Sequence, residues 1–257
     1  MRPENSTSGK MLIIAALCAA LAAAAGATET TPEAAAFFND GVAQANAGKY
    51  EAAVAAFEKS LAEDPDLVEA HEWIGHILML QGDYAGAIAR YQKIVARRPS
   101  TAAKVSLGLA YLQVGDLDQA VKTLENAVAA DPGDPNGWNN LSLAYMRQGK
   151  IADARRAAEK ALALKTDYAP AYVNLGNVQL REGNSDDAVA SFGRALELDA
   201  NQTDAYYGVA EAADFKGDAQ TAGDNYVQYL KHNPTDETRR ATAVQWLWDH
   251  GRGAEVP

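Results

Sequence analysis

From about residue 34 onward, apolar side chains recur at helical spacing. Tyr50, Ala53, Val54, Phe57 and Leu61 fall at the intervals that place them on one face of a helix. Farther along, Ala241, Val244, Leu247 and Trp248 make a similar stripe. Between such stripes stand glycines: Gly48, Gly82, Gly115, Gly149, Gly183 and Gly217, spaced 34, 33, 34, 34 and 34 residues apart. Five residues after each lies an alanine: Ala53, Ala87, Ala120, Ala154, Ala188 and Ala222. Seven before each lies a small residue: Gly41, Gly75, Gly108, Ser142, Gly176 and Ala210. Prolines close four of these units, at Pro65, Pro99, Pro132 and Pro234, while Thr166 and Ala200 take that place in the other two.

The period predicts a repeated unit of helix, glycine turn, helix and short loop. Glycine ends the first helix because only a residue without Cβ enters the left-handed conformation freely. The small residues at two fixed positions let the paired helices approach closely. Proline stops the second helix, since it lacks an N–H and restricts the residue before it.

These residues resemble the tetratricopeptide repeat, whose pattern runs W-x2-L-G-x2-Y, then A-x3-F, then A and P. Trp138, Leu141, Ser142 and Tyr145 carry most of the first block, and Leu107, Gly108 and Tyr111 carry its second half. Ala53 with Phe57, and Ala188 with Phe192, carry the second block. The units run 34–67, 68–100, 101–134, 135–168, 169–202 and 203–236, and the second is one residue short after Pro99. The resemblance implies an all-α fold, a right-handed α-α superhelix (solenoid) of six helix-turn-helix repeats. Residues 237–257 are expected to form a C-terminal capping helix and tail, with Thr235 or Asp236 starting the helix and Gly251 ending it.

The first residues read differently. Arg2 and Lys10 precede an uncharged apolar run from Met11 to Ala25, followed by the small residues Ala25, Gly26 and Ala27. This is the form of a signal peptide, expected over 1–27 with cleavage after Ala27 and a short linker at 28–33. The run is shorter than the roughly 20 residues that span a membrane; the alternative is an uncleaved N-terminal membrane anchor. Cys18 fits a lipoprotein signal poorly, with Leu17 beside it and Ala15 three before. The segment predicts a periplasmic or secreted protein and, with the resemblance, an exported bacterial one.

Charge and composition narrow the function. The net charge of -11 argues against nucleic acid, whose phosphates need a basic face. A single cysteine excludes an intramolecular disulfide and a thiolate zinc cage. His71-Glu72-Trp73-Ile74-Gly75-His76 approximates the zinc motif H-E-x-x-H. Its histidines are five apart, which on a helix separates them by about 140°. Glu72 and His76 share a face and are expected to pair structurally. Phosphate-binding loops and nucleophile motifs are absent. No catalytic residue, cofactor or metal is therefore expected, and function is assigned to a surface.

The resemblance implies that positions 2, 5, 6, 9, 12 and 13 of each first helix line a concave groove. The candidate peptide-binding residues there are Phe38, Asn39, Trp73, His76, Met79, Asn140, Arg147, Asn174, Asn177, Arg181 and Tyr207. They mix aromatic, apolar and amide groups, as suits a peptide. Position 2 holds Ala35, Glu69, Ala102, Asn136, Pro170 and Asp204, without the basic residues of a carboxylate clamp. The expected function is a non-enzymatic interaction scaffold or assembly adaptor in the bacterial envelope. It would hold an extended peptide or partner helix, without a membrane span after signal cleavage, within a complex that can itself be membrane-associated. The alternative is a regulatory or targeting subunit of a larger envelope enzyme complex.

Overall fold

The computed structural model describes residues 30–257, so the expected signal segment, its cleavage site and Cys18 lie outside the described residues. The described chain is all-α, with thirteen helices packed in sequential pairs. It divides into two compact units, one ending at Gly115 and the other Asp116–Pro257. The first unit contains α1 (Pro32–Asn46), α2 (Tyr50–Glu63), α3 (Val68–Gln81), α4 (Tyr84–Arg97) and α5 (Thr101–Val114). The second contains α6 (Leu117–Ala130), α7 (Pro135–Arg147), α8 (Ile151–Leu164), α9 (Ala169–Arg181), α10 (Ser185–Leu198), α11 (Thr203–Phe215), α12 (Ala219–Lys231) and α13 (Glu237–Asp249). A short 3-10 turn, Gly253–Glu255, follows. α1 begins at Pro32, inside the stretch expected as linker, because Thr31 accepts a hydrogen bond from the Ala34 N–H and caps it.

The six turn glycines all adopt φ between 73° and 82°. Around them the chain closes in the six-to-one manner that satisfies the last helical carbonyls: Asp83 N donates to Leu78 O, Asn184 N to Gln179 O and Asp218 N to Ala213 O, each at 2.9 Å. The residue after the glycine then starts the second helix. Asp83, Asp116 and Asp218 accept hydrogen bonds from the N–H groups of Gly86, Gln119 and Thr221. The residue missing from the second repeat is missing from a loop: α4 and α5 are joined by 98–100, where Ser100 caps α5 through the Ala103 N–H.

The alanine column is fully buried at all six positions. The opposing small-residue column is matched to the residue four beyond each alanine. A Cβ on Gly41 would sit 2.6 Å from the Phe57 ring, and one on Gly75 or Gly176 would sit 2.7 Å from Tyr91 or Phe192. Real Cβ atoms do not approach that closely, so the aromatic ring and the missing side chain require each other. In the fourth repeat the aromatic position holds Ala158 and the column residue becomes Ser142. Its hydroxyl donates to Ala154 O at 2.8 Å.

Neighbouring repeats are also tied at their edges. Gln81 donates to Glu51, Gln148 to Asp118, and Lys216 pairs with Asp186, each thirty residues back. Arg155 and Glu182 form a fourth such tie.

α13 is a cap with a different buried face from the expected stripe. Asp236 starts it, accepting from the Arg239 N–H at 3.0 Å, and Gly251 ends it with φ 71°. Ala243, Trp246 and Leu247 are buried, joining Tyr207, Tyr226, Tyr229 and Leu230 in one core cluster. Ala241 is exposed, and Trp248 is 63% exposed. Gly251 stands 34 residues after Gly217, so α13 follows the repeat register of a first helix.

Candidate functional site

The candidate residues all belong to first helices, and each unit presents its own set. In the first unit, Asn39 on α1 is exposed, while Phe38 is half-buried with its ring 5.5 Å from Phe57. Trp73 on α3 is only 5% exposed and stacks on Phe57 at 5.7 Å and 21°. Trp73 therefore joins the first repeat to the second, and little of it remains for a ligand. His76 is half-buried, 5.8 Å from the Tyr91 ring. Met79 is half-buried against the cluster formed by Tyr91, Ile94 and Leu107.

The histidine motif resolves into packing. His71 is buried, with Nε2 3.3 Å from Pro65 O and Nδ1 3.4 Å from Arg90. Burial lowers the pKa of His71, as it does that of His76. Burial raises that of Glu72, with Glu69 adding to the effect. The expected Glu72–His76 pairing does not form: among the described residues neither a hydrogen bond nor an ion pair joins them, and the His76 ring lies against Tyr91 instead. Among the described residues, no three His, Cys, Asp or Glu side chains come together to hold a metal ion.

In the second unit the amides are already engaged. Asn174 on α9 is 8% exposed, and its Nδ2 donates to Asn139 Oδ1 at 2.8 Å and to Asn139 O at 3.0 Å. Asn140 Nδ2 donates to Asn136 O of its own helix at 2.9 Å, and Tyr168 donates to Asn136 Oδ1. The two amides at one repeat position are thus directed differently, one across repeats and one along its helix. Asn177 is half-buried one turn beyond Asn174. Arg147 and Arg181 are exposed at the ends of α7 and α9.

Tyr207 belongs to the cap core. It is 9% exposed, in edge contact with Tyr226 at 5.6 Å and Tyr229 at 5.1 Å. The Arg239 guanidinium lies 5.0 Å from its ring and bonds Asp204 at 2.9 Å. Sequence patterning did not single out Arg239. The available signal was its place 35 residues beyond Asp204, one more than the repeat length.

The candidate surface is therefore smaller than the residue pattern predicts. Asn39, Phe38, His76 and Met79 remain accessible in the first unit, and Asn140, Arg147, Asn177 and Arg181 in the second. Trp73, Asn174 and Tyr207 hold repeats together.

Paired helices, an invariant left-handed turn and a small-residue seam repeated every 34 residues define a helical repeat protein of the interaction class. Two tetratricopeptide repeat models match the chain, one over 15–67, 38–102 and 105–169 and the other over 145–213. The chain belongs to the tetratricopeptide repeat family. The first of these matches overlaps the expected signal segment.

No curated protein matches the chain. Among solved structures, a chain of the anaphase-promoting-complex hetero-tetramer Cut9–Hcn1 superposes with a TM-score of 0.72 at 20% identity over 93% of this chain. This chain spans 46% of that one, less than half its length. PilW, a type IV pilus biogenesis factor, superposes with a TM-score of 0.70 at 18% identity, covering 82% of this chain and 99% of its own. MamA from Desulfovibrio magneticus RS-1 gives a TM-score of 0.60 at 24% identity over 67% of this chain and 98% of its own. At these identities the likeness is one of fold.

Among the described residues no helix is long and apolar enough to cross a membrane.

Proposed function

We propose that this protein is a non-enzymatic interaction scaffold of the bacterial cell envelope, exported by its N-terminal segment and cleaved after Ala27. It binds an extended peptide or partner helix on the face of its first helices. The observation that carries the reading is the chemistry of that face on a tetratricopeptide fold. Half-buried Phe38, His76 and Met79 stand beside exposed Asn39 in one unit, and amides stand beside arginines in the other. Such a mixture supplies apolar contact for side chains and hydrogen bonds for a backbone. Arg147 and Arg181 give the second unit a preference for acidic segments.

Affinity capture from envelope fractions, with the mature chain as bait, tests the function. Assembly components at stoichiometric yield are the expected result. Recovery of a single stoichiometric enzyme would instead make the chain a subunit of that enzyme. Intact mass of the protein from the same fraction tests export: it should begin at Thr28, and a chain beginning at Met1 or confined to cytosol refutes it.

A further inference from the structure

The second helices carry a feature that the first-helix face does not use. α2 and α4 both pack on α3, and the Glu58–Arg90 ion pair bridges them. Beside that bridge lies a cleft of about 400 Å³. Its floor is apolar, made by Val54, Ile74 and Leu78.

One wall of the cleft is low because Ala89 carries only a methyl group; at Gly86 the place of a Cβ is taken by the Asp83 carboxylate and Leu78. Gly86 and Ala89 stand four and seven residues after the turn glycine of the second repeat and line the opening. In the later repeats the first of these positions holds Gln119, Asp153, Asp187 and Thr221, and the second holds Lys122, Arg156, Ala190 and Asp224. In the first repeat Ala52 and Ala55 are small, but no second helix precedes them among the described residues. The second repeat therefore opens a seam between second helices, leaving part of its apolar floor uncovered.

The charges at the mouth are unequal in their partners. Arg90 is neutralised by Glu58, and the Asp83 carboxylate caps α4 through the Gly86 N–H at 2.9 Å. Lys93 is exposed, one helical turn from Ala89, and has no hydrogen bond or ion pair among the described residues. The site thus offers an apolar hole and, about 6 Å along the helix, a lysine whose ammonium can meet an anion. Its size lies in the range of binding pockets, and an apolar hole with one placed charge is how interfaces seat an anchor residue.

We propose that this cleft is a second docking site, for a partner helix that presents a bulky apolar side chain and a carboxylate one turn away. The shallow seam between two helices suits a third helix laid along it. The turn spacing of Ala89 and Lys93 matches i and i+4 on that partner. The site shares with the proposed function only the premise that the chain binds protein, because none of the candidate groove residues lines it.

The test is a titration of the ¹⁵N-labelled chain with an alanine-based helical peptide carrying Phe and Glu four residues apart. Saturable shifts are expected at the amides of Gly86, Ala89 and Lys93. Ala89→Leu, at an exposed position and with its thermal midpoint checked, should fill the hole and abolish them. Lys93→Glu should weaken binding at least fivefold. Replacing the peptide's Glu with Gln should cost a similar factor against the native chain and nothing further against Lys93→Glu. Absence of saturable shifts at these amides, or unchanged affinity in Ala89→Leu, overturns the proposal. Octanoate binding as tightly as the peptide would overturn it in favour of a small-amphiphile site. Shifts at Asn39, Met79 and Arg147 report the first-helix face separately, so the two readings fail independently.

Discussion

Trp73 and Asn174 occupy the same repeat position, nine residues before their turn glycines, and both reach back to the preceding repeat. Trp73 does so by stacking on Phe57, Asn174 by donating two hydrogen bonds to Asn139. Both are nearly closed to solvent, at 5% and 8% exposure. One backbone position therefore serves one structural purpose through two chemistries. The aromatic join removes apolar area from water and tolerates small shifts of the ring. The amide join depends on direction, and fails sharply if either partner is removed. A position the family pattern assigns to ligand contact can thus be spent on cohesion.

The largest effect should come from breaking the aromatic join. Trp73→Ala removes the surface that covers Phe57, Ile74 and Ile77, and is expected to cost about 3–5 kcal/mol in chemical denaturation followed by circular dichroism. A loss below about 1 kcal/mol, the range of ordinary surface changes, would mean that the ring is available to a ligand after all.

Asn174→Ala should cost less, about 1–3 kcal/mol, because it strands the Asn139 side-chain oxygen rather than opening a large void. If Asn174→Ala proves costlier than Trp73→Ala, directional bonding outweighs apolar burial at this position.

Acid should separate the two regions further. In α3, burial holds His71 and His76 below the ordinary histidine value of 6.5. The folded state therefore binds their protons less readily than the unfolded chain. Their contribution is complete above pH 6.5 and is lost as pH falls from there through the lowered folded values. Glu72, raised above 4.5 by burial, acts oppositely and favours the folded state as pH falls through its raised value. The asparagine side chains that join α9 to the preceding repeat do not ionise. Between pH 7.5 and 5.5, hydrogen-exchange protection should fall in α3 more than in α9, and the double variant His71→Gln with His76→Gln should show less of this difference. Equal losses in both helices would place the acid sensitivity elsewhere.

The glycine and alanine columns were legible in the sequence because each reports a constraint carried by one residue: a positive φ, or a helix approach that admits no larger side chain. The surface was less legible because a side chain's exposure depends on what the next repeat supplies. Position alone cannot tell Asn140, bonded along its own helix, from Asn174, bonded across repeats. Tyr207 was placed on the groove although α13 covers it with Arg239, and Trp246 packs tilted against Tyr226 beside it. The stripe in α13 was misphased for a related reason. As an isolated helix it offered Ala241 and Trp248 as core, whereas the face that packs on the preceding repeat runs through Ala243, Trp246 and Leu247. The cleft beside Lys93 was hidden because it arises from a small side chain, visible only when one repeat is set against the others.

The smallest expected effect is the sharpest test of how amides are used. Asn140 is half-buried, and its donor is satisfied by Asn136 O four residues earlier on the same helix. Asn140→Ala should therefore change stability by less than about 0.5 kcal/mol, as a surface substitution does. Combined with Asn174→Ala, the two losses should add within about 0.3–0.5 kcal/mol, because the residues have no common hydrogen-bond partner. A coupling energy well above that would join them in one network, and the distinction between an amide that holds repeats and one left for a peptide would fall. Additivity would leave Asn140 as the amide whose removal can lower peptide affinity without loosening the fold, the separation needed to map the binding face by substitution.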